Sequence, residues 1–350
     1  MILKKFDYTS LNGLVINNEI NNKLNLIYEL HGKLSNITIN FQSILDHLVD
    51  IAKVQSIDTS NRIEGIYTTD SRLKKIVEDK TKPHNRSEAE ITGYRDVLEL
   101  IHENFQYIPI SKNSILTLHK QLFNYTDSTW GGKFKDSDNQ IITQYVDGNK
   151  EVRFTPPSAH MTPSLIEELC DEYNNAIIEG NISPILLTSV FIFDFVSIHP
   201  FNDGNGRMSR LLMLLTMYKN DFDVGKYVSI EQLIEKTKDK YYLSLKNSSI
   251  KWMENGNDYT PFVNYFLSIV LQAYRNLDER INIIEKIPDS ASDLILHYLQ
   301  DELKPLSKKE LTELIPQYSE ITIKRALADL RKQSLIKIVG KGRSSKYVLN

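Results

Sequence analysis

The sequence predicts a mainly α-helical protein with one internal β-hairpin and a small C-terminal module of three helices and a second hairpin. Three observations carry that prediction. Two strongly apolar runs, 185–198 and 211–218, read as buried helices, and helically spaced apolar residues in 87–105, 113–123, 164–179 and 261–284 fit a bundle around them. The stretch 141–146, the turn residues Asp147-Gly148-Asn149 and the stretch 152–155 read as strand, turn and strand. Near the C-terminal end, 291–303, 307–315 and 319–333 read as helices, the second opened by Ser307 with Glu310 three residues on. The segments 335–339 and 346–349 read as strands around the Gly- and Ser-rich turn 340–345.

Composition narrows the class. With 350 residues, 41% hydrophobic and 25% charged, the chain can bury a sizeable core and form two or three domains. No segment reaches the roughly 20 uninterrupted apolar residues of a membrane span, so no membrane partner is expected. The opening MILKKFDYTSLNG lacks the apolar stretch of a secretory signal. Cys170 is the only cysteine, which excludes an internal disulfide and a cysteine-based metal site; it is expected to pack within the 164–179 helix. A reducing cytoplasm is the expected location. A net charge of −3 argues against a protein that coats nucleic acid generally. The charge is uneven, however: positions 301–350 hold eleven Lys and Arg against six acids, an excess of +5 that leaves −8 for the rest.

Four segments are expected: a helical N-terminal region (1–85), a core (86–225), a helical extension and linker (226–285) and the basic C-terminal module (286–350). In the first, 43–54 has apolar residues at helical spacing and Gly65 supplies a helix stop.

The polar stretch between the two apolar runs of the core, HPFNDGNGRMSR at 199–210, carries the chemistry. Pro200 ends the preceding helix, and Gly204 and Gly206 leave the main chain open to a ligand. The backbone N–H groups from 204 to 207 then open the next helix, where unpaired donors and the helix dipole favour an anion such as phosphate. Arg207 and Arg210, at i and i+3, can fork onto the same phosphates. Asp203 is the loop's one carboxylate and a hard oxygen ligand for Mg²⁺ beside a nucleotide. His199 can take a proton from an incoming hydroxyl.

The order His-Pro-Phe-x-Asp-Gly-Asn-Gly-Arg-x-x-Arg resembles the signature of Fic-domain proteins at all nine fixed positions. That resemblance makes 86–225 a Fic-type helical bundle and implies transfer of AMP from ATP to a Ser, Thr or Tyr hydroxyl of a protein, itself included, with release of pyrophosphate. It casts His199 as the base, Asp203 as the Mg²⁺ ligand and Asn205 as a clamp on the α-phosphate. Gly204, Gly206 and Arg207 would line the anion pocket, Arg210 would reach the γ-phosphate, and Phe201 would anchor the loop in the core. Doc kinases carry Lys in place of the Gly after Asn, so Gly206 argues for nucleotidyl transfer.

Upstream, Ser60-Asn61-Arg62-Ile63-Glu64-Gly65 resembles the Ser/Thr-x-x-x-Glu-Gly pattern of the inhibitory helix of many Fic proteins. The resemblance implies that Glu64 pairs with Arg210 in place of the γ-phosphate, and a carboxylate does satisfy the same guanidinium fork. The 141–155 hairpin resembles the Fic flap, whose edge aligns a target's main chain by β-augmentation; Phe154 and Thr155 are its candidates for covering the nucleotide. Tyr242 is the adenine-stacking candidate by resemblance. The C-terminal module looks like a winged helix. If it binds DNA, Thr322, Lys324 and Arg325 would face the major groove and Lys341 and Arg343 the backbone; a protein-docking role is the competing expectation. Two alternatives stay open, a DNA-binding regulator with a nucleotide-sensing Fic domain and a Fic-type enzyme that removes AMP. A homodimer is the family-based expectation.

Overall fold

The computed structural model describes all residues except 1–3, 12, 38–41, 145–149, 287–289, 302–304, 317, 341, 343 and 344. Its helices are α1 (Asn18–Ile37), α2 (Gln42–Ile63), α3 (Asp70–Val77), α4 (Arg86–Asn104), α5 (Lys112–Leu122), α6 (Thr162–Glu179), α7 (Pro184–Ile198), α8 (Asn205–Lys219), α9 (Ile230–Lys236), α10 (Lys238–Ser248), α11 (Thr260–Lys286), α12 (Ala291–Asp301), α13 (Lys308–Leu314) and α14 (Glu320–Lys332). The strands are β1 (Ile141–Gln144), β2 (Lys150–Phe154), β3 (Leu306–Ser307), β4 (Ile336–Val339) and β5 (Lys346–Leu349). The chain divides into two compact units, Met1–Ser35 with Val49–Arg275, and Asn36–Leu48 with Asn276–Asn350.

The first unit is built on α7 and α8, as the two apolar runs predict. Phe191, Phe193 and Phe195 of α7 and every residue of α8 from Met208 to Tyr218 are buried. Each such aliphatic or aromatic side chain contributes roughly 1.5–3 kcal/mol by leaving water, so this pair of helices is a stiff base for the segment between them. α6 packs on α7, and α4 packs on both α8 and α5. Gly93 of α4 lies so close to the Leu122 carbonyl that a Cβ would collide with it, which explains a glycine inside this helix. Asp194 of α7 is a fully buried carboxylate in the core. Its carboxylate accepts hydrogen bonds from Tyr8 (2.6 Å), the Trp252 indole (2.6 Å) and Tyr259 (3.0 Å), pinning the N-terminal segment to the start of α11.

The helices read from spacing are present, with ends shifted by a residue or two. α2 runs past 54 to Ile63, and Gly65 follows it in the left-handed region at φ +79°. Four helices that the spacing did not single out are added inside the regions expected to be helical, α1, α3, α9 and α10; α3 and α9 each open on a capping hydroxyl, Thr69 and Ser229, and are too brief for periodicity to register. The hairpin pairs β1 antiparallel with β2, with Ile142 opposite Val152 and a bulge between Ile141 and Ile142. Its expected turn, 147–149, lies outside the described residues.

In the second unit, α12, α13 and α14 enclose an apolar core of Leu294, Ile295, Leu311, Ile323, Leu327 and Ile336. An antiparallel sheet in the order β3-β5-β4 joins that core through Leu306, Ile336, Tyr347 and Leu349. The capping box of Ser307 and Glu310 is formed at α13. The two-residue β3 escaped the sequence reading because it has no room for alternation.

Candidate active site

The polar segment between α7 and α8 turns sharply because two of its residues accept left-handed backbone and a third ties the loop to itself. His199, the C-cap of α7, is left-handed at φ +49°, a strained state for a side chain with a Cβ, and its N–H donates to the Phe195 carbonyl (3.1 Å). Gly204 is left-handed at φ +82° and opens α8. Asn205 makes the tie: Oδ1 accepts from Phe201 N–H (2.9 Å) and Nδ2 donates to Phe201 C=O (2.8 Å). Phe201 is fully buried, as an anchor should be.

Two supports for this loop escaped the sequence reading. His119 of α5 stacks face to face on Phe201 at 3.6 Å, accepts from Gly132 N–H at Nδ1 (3.0 Å) and therefore donates from Nε2 to the Asp203 carbonyl (3.0 Å). Burial holds its pKa down to about 4, so it stays in that neutral tautomer. Lys135 is buried, donating from Nζ to Ile198 C=O (3.2 Å) and Asn139 Oδ1 (3.0 Å) and from its N–H to Pro200 C=O (2.8 Å). It thus grips the chain on both sides of His199. Lys135 lies in a turn-rich stretch and His119 on an apolar helix face; the faint signal in each was a polar residue where packing wanted none.

His199 itself is neutral at physiological pH. Burial first, then the Lys135 charge, lowers its pKa to about 4, and its Nδ1 is buried with no hydrogen-bond partner among the described residues. Asp203 is the half-exposed group of the loop; Oδ1 accepts from Gly204 N–H (2.6 Å) and lies 3.6 Å from Arg207.

The two arginines differ. Arg207, 1% exposed at its side chain, is held by Glu90 of α4 (2.8 Å) and lies over the Phe123 ring, yet its Nε and Nη1 are buried without a partner among the described residues. Arg210 is engaged through Nε and Nη2. Its Nε donates to Ser60 Oγ (2.8 Å), and its Nη2 donates to Ser60 C=O (2.9 Å) and Glu64 Oε1 (2.8 Å). Burial opposes ionisation of Glu64, but the Arg210 charge and hydrogen bond prevail and hold its carboxyl below the usual range. A Cβ on Gly206 would collide with Glu64 Oε1.

Other predicted site residues keep different company. The Tyr242 ring, on α10, carries the Arg153 guanidinium at 4.9 Å, joining that helix to β2. Phe154 packs edge-on against Trp252 at 6.1 Å, and Thr155 is exposed. In the second unit Thr322 shares a hydroxyl contact with Ser319 at the α14 cap (2.9 Å), while Lys324 and Arg325 are exposed. Lys341 and Arg343 lie outside the described residues. Cys170 is buried on α6 as expected.

Comparison with known proteins agrees with this geometry. Residues 109–217 match the model of the Fic/DOC family, and this part of the chain is a Fic domain. The chain is similar to proteins named protein adenylyltransferase Fic, 26% identical over 257 residues in Drosophila willistoni and 27% over 254 in Drosophila melanogaster, covering 70% and 69% of this chain. It spans 47% of each, so it matches about half the length of these curated relatives. In fold it is similar to a Fic family protein from Desulfovibrio desulfuricans G20, with a TM-score of 0.62 at 22% identity over 96% of this chain and 97% of that one. Fic-1 from C. elegans gives a TM-score of 0.56 at 21% identity over 73% of this chain and 70% of that one.

Proposed function

We propose that the chain is a self-restrained protein adenylyltransferase, moving AMP from ATP to a Ser, Thr or Tyr hydroxyl of a protein. The observation that carries this reading is the unequal state of the two arginines: Arg210 is already met by Ser60 at Nε and by Glu64 at Nη2, while two donors of Arg207 are buried without a partner among the described residues. An anion is wanted at one arginine and mimicked at the other.

In this reading the triphosphate lies at the start of α8, where the unpaired backbone donors and the helix dipole meet it. Arg207 completes its hydrogen bonds on phosphate oxygens, and Arg210 grips the γ-phosphate once Glu64 withdraws. The neutral imidazole of His199 removes the target's hydroxyl proton as its oxygen bonds to the α-phosphorus. The bond from that phosphorus to the β-bridging oxygen breaks, and pyrophosphate leaves. Asn205 clamps the α-phosphate by exchanging its Phe201 contacts for a phosphate oxygen. The donor set fits Mg²⁺, with the half-exposed Asp203 as its protein ligand; Mg²⁺ would neutralise phosphate charge. Tyr242 offers its ring to the adenine in place of Arg153. The target's main chain adds to the edge of the β1–β2 hairpin, with Phe154 and Thr155 at its base.

The chemistry is tested by incubating wild type and Glu64→Gly with Mg²⁺ and ATP labelled in the α-phosphate, with and without cell lysate. Glu64→Gly is expected to label protein, itself included, at least about tenfold more than wild type, since a charged hydrogen-bonded pair holding a site shut is worth ~1.5–3 kcal/mol. Equal labelling removes the brake from the account.

The second unit has the element order of a winged helix, and the adjacent exposed Lys324 and Arg325 on α14 favour a recruiting role, for which DNA is one ligand. We place the protein in the cytoplasm and expect a homodimer. Among the described residues no helix is long and apolar enough to cross a membrane.

A further inference from the structure

Behind the Glu64–Arg210 contact runs a second, wholly buried polar chain. Glu231, in the first turn of α9, accepts at Oε2 from Ser56 Oγ of α2 (2.7 Å) and Ser229 Oγ (3.2 Å), and at Oε1 from the Tyr94 hydroxyl of α4 (3.1 Å). Ser60 Oγ accepts from Arg210 Nε (2.8 Å), one turn of α2 beyond Ser56, and the Tyr94 proton goes to Glu231. Ser56, Ser60, Tyr94, Glu231 and Arg210 are each no more than 3% exposed.

Direction and burial give this chain a meaning. A buried carboxylate is costly unless its lone pairs are met by donors. Here the donors come from α2, α4 and the cap of α9. In low dielectric such bonds are strengthened and hold the three helices together at one carboxylate. Glu231 also touches α2 directly through Ser56, one helical turn before Ser60 and two before Glu64. The α2 helix is therefore tied down twice, once at the phosphate site by Glu64 and Ser60, once behind it by Ser56.

We propose that Glu231 is a concealed lock on the brake helix, a positioning residue that holds α2 by Ser56 and so keeps Ser60 and Glu64 on Arg210. This rests on the adenylyltransferase reading for its activity arm but not for its structural arm. Glu231 then acts only through the Glu64 contact: loosening it weakens the brake, and once Glu64 is gone it has nothing left to hold. A glutamine at 231 keeps the size but brings an NH₂ to a place lined by hydroxyl donors.

The test is Glu231→Gln made in the full chain, in the wild-type and Glu64→Gly backgrounds. Amide hydrogen exchange over residues 56–64 in the wild-type background is expected to quicken on the order of tenfold, the scale of losing one hydrogen bond to a charged group. Labelling from α-labelled ATP is expected to rise several-fold in the wild-type background and not at all on top of Glu64→Gly, because both changes act on one contact. Should Glu231→Gln fold poorly, Ser56→Ala removes only the α2 tether and is expected to move exchange and labelling the same way by less. Unchanged exchange over 56–64, or an equal rise in labelling in both backgrounds, overturns the proposal. If Glu64→Gly itself does not label protein, the catalytic reading fails while the exchange result still decides the lock.

Discussion

The 199–210 segment and the α14 face of the second unit are both polar regions marked by arginine, yet they are built in opposite ways. In the first, Arg207 is held by Glu90, Arg210 by Ser60 and Glu64, His119 buttresses the loop, and Lys135 grips the backbone around His199. These partners come from α2, α4, α5 and the stretch before β1, far apart in sequence. In the second, Lys324 and Arg325 are exposed, and the ion pairs near them, Lys308 with Glu320 (2.6 Å) and Lys309 with Glu313 (3.7 Å), are on the surface. Exposed pairs of that kind contribute roughly 0–1 kcal/mol. The difference separates a preorganised site from an adaptable surface: charges immobilised in low dielectric act strongly on a reacting group, while solvated ones act weakly and yield to salt.

That contrast can be broken first at its strongest point. His199→Ala in the Glu64→Gly background is expected to lower protein labelling by about 10²–10⁴-fold, the range for loss of a positioned base; labelling within a few-fold of the parent would mean that the imidazole does not take the proton. Because His199 stays neutral down to about pH 4, the labelling rate of the folded enzyme should show no inflection near the ordinary histidine value of 6.5 as pH falls from neutral.

Acid stability sharpens the comparison at intermediate size. Burial lowers the pKa of His102 to about 3 and of His119 and His199 to about 4, below the 6.5 of an unfolded histidine. Between roughly pH 6.5 and 4 the unfolded chain binds more protons at these three sites. Stability is thus full above about 6.5 and falls as pH drops through that window, by up to about 1.4 kcal/mol per pH unit for each histidine. Urea unfolding at neutral pH and again near the middle of that window reads this directly; a flat result would show the three rings charged in the native state.

The smallest effect belongs to the surface. Replacing Lys324 and Arg325 by Glu in the full chain should weaken any DNA binding at low salt and reduce its salt slope by about one for each phosphate no longer neutralised. A parent with no affinity at low salt leaves protein docking as the role of this unit.

The sequence made the bundle legible because burial at helical spacing is written in the order of side chains, as in α7 and α8. It made the loop legible because the residues on which the proposed phosphate chemistry draws, His199, Asp203, Asn205, Gly206, Arg207 and Arg210, stand close together in the chain. Glu90, His119, Lys135 and Glu231 were not legible, since each reaches its partner across a long stretch of chain, 63 residues from Lys135 to Ile198 and 175 from Ser56 to Glu231. In sequence each looks like any polar residue on a helix or turn. Arg153 on Tyr242 and Phe154 on Trp252 were missed for the same reason. Local spacing announces a motif, and only tertiary contact announces what holds it.

Whether this loop transfers the nucleotidyl group and Glu64 restrains it is read in one comparison. Glu64→Gly is incubated with Mg²⁺ and ATP carrying label in either the α- or the γ-phosphate, and both protein and small products are followed. The account predicts protein label from the α position alone, with γ-label recovered in pyrophosphate. Protein label from the γ position, or none from either, contradicts it.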